Sequence, residues 1–264
     1  AVWLTVFFLA PLCVVAVYSL CERGVYGGVV FRLTFQNYPR LLDPVYLSVG
    51  LRSLRLAGET TLFCLLLGYP LAYFIASRRP GLRHLLLVMV IIPFWTDFLV
   101  RTYAWMFILR SEGALNAVLA GLGLIERPVE WLFTEGAVTL GLVYGYLPYM
   151  VLPLYASIEK LDRTLVEAAQ DLGANPPRVF LRVILPITLP GVAAGCILVF
   201  IPSLGAFVTP DLLGGARTPM IGNLIKTQFL TARDWPFGAA MSLSVMACVG
   251  GMLLANRLVD RREV

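Results

Sequence analysis

The chain has 264 residues, of which 59% are hydrophobic and 14% charged, with mean hydropathy +0.80 and net charge +5. A water-soluble domain of this size carries about a quarter of its residues as charges, so this composition excludes a water-soluble globular fold and points to lipid as the main solvent. The Lys and Arg residues lie between long apolar runs, as expected beside membrane spans, which excludes a basic nucleic-acid-binding face.

In chain order the apolar runs are Ala1–Leu20, Ser53–Ser77, His84–Leu109, Gly136–Ser157, Ile187–Thr209 and Phe237–Leu258. About 20 apolar residues cross a hydrocarbon core as helix. Helix is required because lipid offers the backbone no hydrogen-bond partners, and the short alternating segments of a membrane β-barrel are missing. The first run is read as a membrane helix and not as a signal peptide, because five further spans follow and no small-residue cleavage site stands near its end. Since the sequence opens on Ala1, residues are expected to precede it. The expected fold is an all-α membrane protein of about six transmembrane helices, with residues 1–264 forming a single transmembrane domain.

Six spans put both termini on one side. If that side is cytoplasmic, Arg257, Arg261 and Arg262 lie inside, and the basic residues in the connections divide evenly between the faces. The connection Arg78–Arg83 decides the orientation, since it packs Arg78, Arg79 and Arg83 into a short turn with no acid. Short loops carry most of the orientation signal, so both termini are expected in the cytoplasm. Pro70, Pro93, Pro148, Pro153, Pro190 and Pro202 fall within spans, where each removes a backbone donor and is expected to bend its helix.

Catalytic signals are missing. Cys13, Cys21, Cys64, Cys196 and Cys248 form no CxxC pair, and His84 is the one histidine, so no metal site is expected. No GxxxxGK[ST] or HExxH occurs. The chain is read as no enzyme, with no catalytic residue and no cofactor of its own.

The informative polar segment is Ile158–Pro186. Leu161, Leu165, Ala168, Ala169 and Leu172 recur at helical spacing and give one small apolar face. Gly173 can take the left-handed conformation that ends a helix. Asn175 then offers an N-cap and Pro176 suits the first helical position. The expectation is a helix, a tight turn and a second helix between two spans, with an apolar face that needs a partner.

Glu167-Ala168-Ala169, three residues, Gly173, nine residues and Val183-Ile184-Leu185-Pro186 resembles the EAA loop of ABC importer permeases. Val183 departs mildly from the family's usual Ile. The resemblance implies the type I importer permease fold, with segment 158–186 as the coupling loop that docks on a nucleotide-binding subunit through Glu167, Ala168, Ala169, Gly173, Leu185 and Pro186. It widens beyond the loop. Asn37-Tyr38-Pro39-Arg40-Leu41-Leu42, Gly68-Tyr69-Pro70-Leu71-Ala72-Tyr73, Pro93-Phe94-Trp95-Thr96, Asp211-Leu212-Leu213-Gly214-Gly215-Ala216 and Asp234-Trp235-Pro236-Phe237-Gly238 are similar to the first permease subunit of spermidine/putrescine-type polyamine importers. Permeases for other organic cations, opines or ferric iron share parts of these patterns. The implied partners are a second, similar permease, two ATP-binding subunits that hold Mg-ATP, an extracytoplasmic substrate-binding protein and membrane lipid. Substrate would pass by alternating access. A self-sufficient channel or secondary transporter would leave the EAA spacing unexplained.

Ionisable residues inside spans are costly and are functional candidates. Glu59 lies in the second span, and Asp97 and Arg101 in the third. Asp97 and Arg101 are four apart and can pair on one helix face; alternatively Glu59 or Asp97 faces the path and attracts an ammonium group. Trp95, Tyr103 and Tyr149, among other aromatics, offer faces suited to cations. Segment Pro210–Pro236 is expected to face outward toward the binding protein.

Overall fold

The structure, a computed structural model, describes residues 2–260, without the side chains of Val2, Leu4, Arg163 and residues 255–260. Ala1, Arg261 and Arg262 lie outside the described residues, as does the Arg257 side chain. The elements are α1 (Val2–Ser19), β1 (Glu22–Arg23), β2 (Val29–Val30), α2 (Asn37–Arg40), α3 (Pro44–Ala76), α4 (Pro80–Ile91), α5 (Phe98–Leu109), α6 (Ala114–Gly121), α7 (Glu135–Glu159), α8 (Arg163–Asp171), α9 (Pro176–Val179), α10 (Leu185–Leu204), α11 (Ile221–Leu230) and α12 (Trp235–Asp260). The two short strands pair antiparallel, Glu22 with Val30 and Arg23 with Val29.

Among the described residues, four helical stretches are long and apolar enough to cross a membrane: α3, α7, Pro176–Leu204 and Trp235–Leu254. A fifth is a bent pair, Pro80–Trp95 and Phe98–Gly121, whose axes differ by 89°. The first expected span corresponds to α1, an apolar helix of 18 residues. The third span is therefore broken where a continuous one was expected. Pro93 sits in the 3₁₀ turn Ile92–Trp95, and Asp97 starts a new helix by accepting from the Leu99 N–H at 2.7 Å. A proline followed by a strong N-cap ends one helix and begins another. Pro70, Pro148, Pro153, Pro190 and Pro202 instead remain inside helices.

The chain divides into two compact units, residues 1–53 with 219–264, and residues 54–218. In the first unit α1 packs on α12. The Asn37 amide donates to the carbonyls of Ser19 and Cys21, both at 2.9 Å, and fixes the end of α1. Arg40 bonds Asp234 at 3.0 Å and lies over the Phe237 ring. Asp234, 2% exposed, caps α12 by accepting from the Phe237 N–H.

In the second unit α7 and α10 form the main helix pair. Gly191 and Gly195 let their backbones approach: a Cβ at Gly195 would stand 2.6 Å from Met150 Sδ, and one at Gly191 would meet Ser157 and Pro153. Small residues at such contacts are the usual solution in lipid, where close packing replaces the hydrophobic effect between helices. Met150, Val151 and Leu154 of α7 are buried with Cys64, Ala72 and Ile75 of α3 and Val199 of α10.

Candidate coupling hairpin and substrate path

The hairpin forms as its local sequence dictates. Asp162 caps α8 by accepting from the Thr164 N–H at 3.0 Å, and this backbone bond holds its carboxyl below the ordinary aspartate value of 3.8. At the other end Gly173 has φ +81°. Its N–H reaches the Gln170 carbonyl at 2.8 Å, and the Ala174 N–H reaches Ala169 at 3.1 Å; this doubly bonded C-terminal turn requires a left-handed residue. Asn175 Oδ1 then accepts from the Arg178 N–H at 3.1 Å, with Pro176 opening α9. Pro186 has no N–H to offer Arg182, and the turn Phe180–Ile184 ahead of it widens to a π turn.

Leu165 is 48% and Leu172 89% exposed, and Ala168 is exposed with them. Ala169 is half-buried and Glu167 exposed. Two leucines two turns apart, with the small Ala168 between them, thus form an uncovered strip along α8 and its C-cap. Behind α8 lies a cavity of about 310 Å³ lined by Tyr73, Ala76, Arg83, Glu159, Glu167 and Gln170 among others. The exit from the hairpin is anchored: Tyr69 stands edge-on to Phe180 at 5.4 Å, and its hydroxyl bonds Thr188 at 2.8 Å. Tyr69 is therefore a buried packing residue.

The residues expected along a substrate path fall in two places. Around the broken third span, Asp97 is exposed and caps α5, Trp95 is 84% exposed, and Tyr149 stands edge-on to Phe94 at 5.0 Å. Asp97 and Arg101 form no side-chain ion pair. The Arg101 guanidinium lies 5.1 Å from the Phe94 centroid and 5.9 Å from that of Phe98, and its Nε and Nη1 are buried with no hydrogen-bond partner among the described residues. Tyr103, on α5, is 44% exposed. Glu59 is placed apart from this group: Arg55 bridges it, at 3.5 Å, to Glu135, and Glu59, Glu135, Phe63, Leu67 and Leu140 line a separate cavity of about 390 Å³.

Two features escaped the sequence reading. Arg83 counted only as an orientation charge, whereas it bonds Glu159 and the Ala76 carbonyl. Arg55, inside the apolar run Ser53–Ser77, pairs with both Glu59 and Glu135; its signal in the sequence is the spacing of four from Glu59.

Residues 68–263 match the family model described as binding-protein-dependent transport system inner membrane component. The spermidine/putrescine transport system permease protein PotB of Escherichia coli (strain K12) is 48% identical, with 98% of this chain and 96% of that one covered. PotB of Haemophilus influenzae is 44% identical, at 98% and 92% coverage. The crystal structure of a bacterial ABC transporter involved in import of the acidic polysaccharide alginate contains a chain that matches at TM-score 0.80, 18% identity, and 99% and 92% coverage, a likeness of fold. With the broken span and the EAA hairpin in place, the chain belongs to the binding-protein-dependent transport system inner membrane component family.

Proposed function

We propose that the chain is the transmembrane permease subunit of an ATP-driven importer for polyamines of the spermidine/putrescine type. It spans the inner membrane several times, with both termini in the cytoplasm. Its partners are a second permease, two ATP-binding subunits that hold Mg-ATP and hydrolyse it, and an extracytoplasmic substrate-binding protein. The observation that carries this reading is the uncovered strip of Leu165, Ala168 and Leu172 on a capped helix that bears the family's Glu-Ala-Ala motif. An exposed apolar strip on a nine-residue helix suits a groove, the recognition mode of an amphipathic helix seated in a partner. The polyamine assignment rests on the high identity to permeases named for spermidine and putrescine. A cation of that class suits a path with Asp97 and exposed aromatic rings.

The test is uptake by cells producing the whole importer. Radiolabelled spermidine and putrescine should accumulate when this chain is present and fail to do so in its absence. Uptake of an opine, ferric iron or another organic cation in place of polyamines would keep the permease assignment and reject the substrate.

A further inference from the structure

We propose that Arg83 is the positioning residue through which movement of the coupling hairpin reaches the second, third and fourth spans; the inference rests on the permease reading. Arg83 stands in the first turn of α4, at the foot of the bent span. Its Nη1 donates to Glu159 Oε1 at 2.6 Å, at the last residue of α7. Its Nη2 donates to the Ala76 carbonyl at 3.1 Å, at the last residue of α3. One guanidinium therefore ties together the ends of three helices. Charge-assisted bonds of this kind are the stronger class, and the planar fork fixes their directions.

The third edge of the fork is unfinished. Arg83 Nε is buried and has no hydrogen-bond partner among the described residues. Buried donors are nearly always satisfied, by protein or by water, so an unpaired Nε on the wall of a cavity is a place for an acceptor. The acceptor is at hand. Glu167, the acid of the Glu-Ala-Ala motif, lines the same cavity as Arg83, together with Gln170. The cavity leaves room for α8 to approach. As it does, the Glu167 carboxylate reaches Nε, and load on α8 passes through a rigid group to Ala76, Glu159 and the base of α4. A lysine cannot substitute, because one ammonium on a flexible stem lacks the three-way fork.

The experiment uses the complete importer in proteoliposomes, with ATP hydrolysis, its stimulation by the loaded binding protein, and import of radiolabelled spermidine measured on the same vesicles. R83Q, R83K and E159Q should retain the ATPase subunits and basal hydrolysis. Stimulation, and import per ATP, should each fall about fivefold or more, the scale of ordinary coupling between sites. Wild-type stimulation and import per ATP in R83Q would overturn the proposal. So would loss of the ATPase subunits from R83K, or an equal fall of basal hydrolysis and import in it, since either assigns Arg83 to folding alone. If the wild-type importer moves no spermidine, the substrate reading fails; stimulation of hydrolysis still decides the role of Arg83.

Discussion

Single side chains set the register of the hairpin, and they were the most legible part of the sequence. Asp162, Gly173, Asn175 and Pro176 act through backbone bonds within a few residues, so spacing alone identified three of them as caps and turn. The Asp162 carboxyl is held below its ordinary value, so its contribution to α8 is present at neutral pH, persists as pH falls to 3.8, and is lost only in stronger acid as pH falls through its folded value. Asp162→Ala should speed amide hydrogen exchange in the first turn of α8, whereas Asp162→Asn, also a good cap, should leave it close to wild type. At the motif itself, Glu167→Ala should leave ATP hydrolysis running while import falls, measured as spermidine moved per ATP consumed. Along the path, Asp97→Asn and Glu59→Gln separate the two places the structure keeps apart. Uptake should fall in Asp97→Asn; normal uptake with the protein present would remove Asp97 from the path. The partnering of Arg101 was not legible, because spacing of four permits an ion pair with Asp97 but cannot weigh it against the cap that Asp97 makes instead.

Among the elements, hydropathy located every long helix but placed their ends poorly. α3 begins at Pro44, well before the apolar run expected from Ser53, because Asp43 caps it by accepting from the Val45 N–H at 2.9 Å and polar residues continue the helix beyond the apolar part. The break in the third span was signalled by Pro93 and by Thr96-Asp97, yet apolar character runs through it and hides the change of direction. The connection Arg110–Glu135 is held by Asn116, which accepts from the Val129 N–H and Trp131 Nε1 and donates to Ser111 and Val129; no local pattern announces such a contact. The α7–α10 contact depends on missing side chains. Gly195→Leu should force Met150 aside and cost about 1–3 kcal/mol through overpacking, read as a lower thermal transition of the purified complex.

For the molecule as a working part, coupling to ATP requires that the segment between Ile158 and Pro186 reach the cytoplasm and be covered there by a separate ATPase chain. Charging the strip with Leu165→Asp and Leu172→Asp should abolish co-purification of that ATPase while the permease itself still accumulates in the membrane. A more direct reading comes from one reporter cysteine at Ala168, in a variant whose five native cysteines are replaced, probed with a membrane-impermeant maleimide. Ala168→Cys should be labelled in inside-out vesicles, silent in intact spheroplasts, and shielded when the ATPase subunits are present. Labelling from the outer face, or labelling inside that the ATPase leaves unchanged, would contradict it.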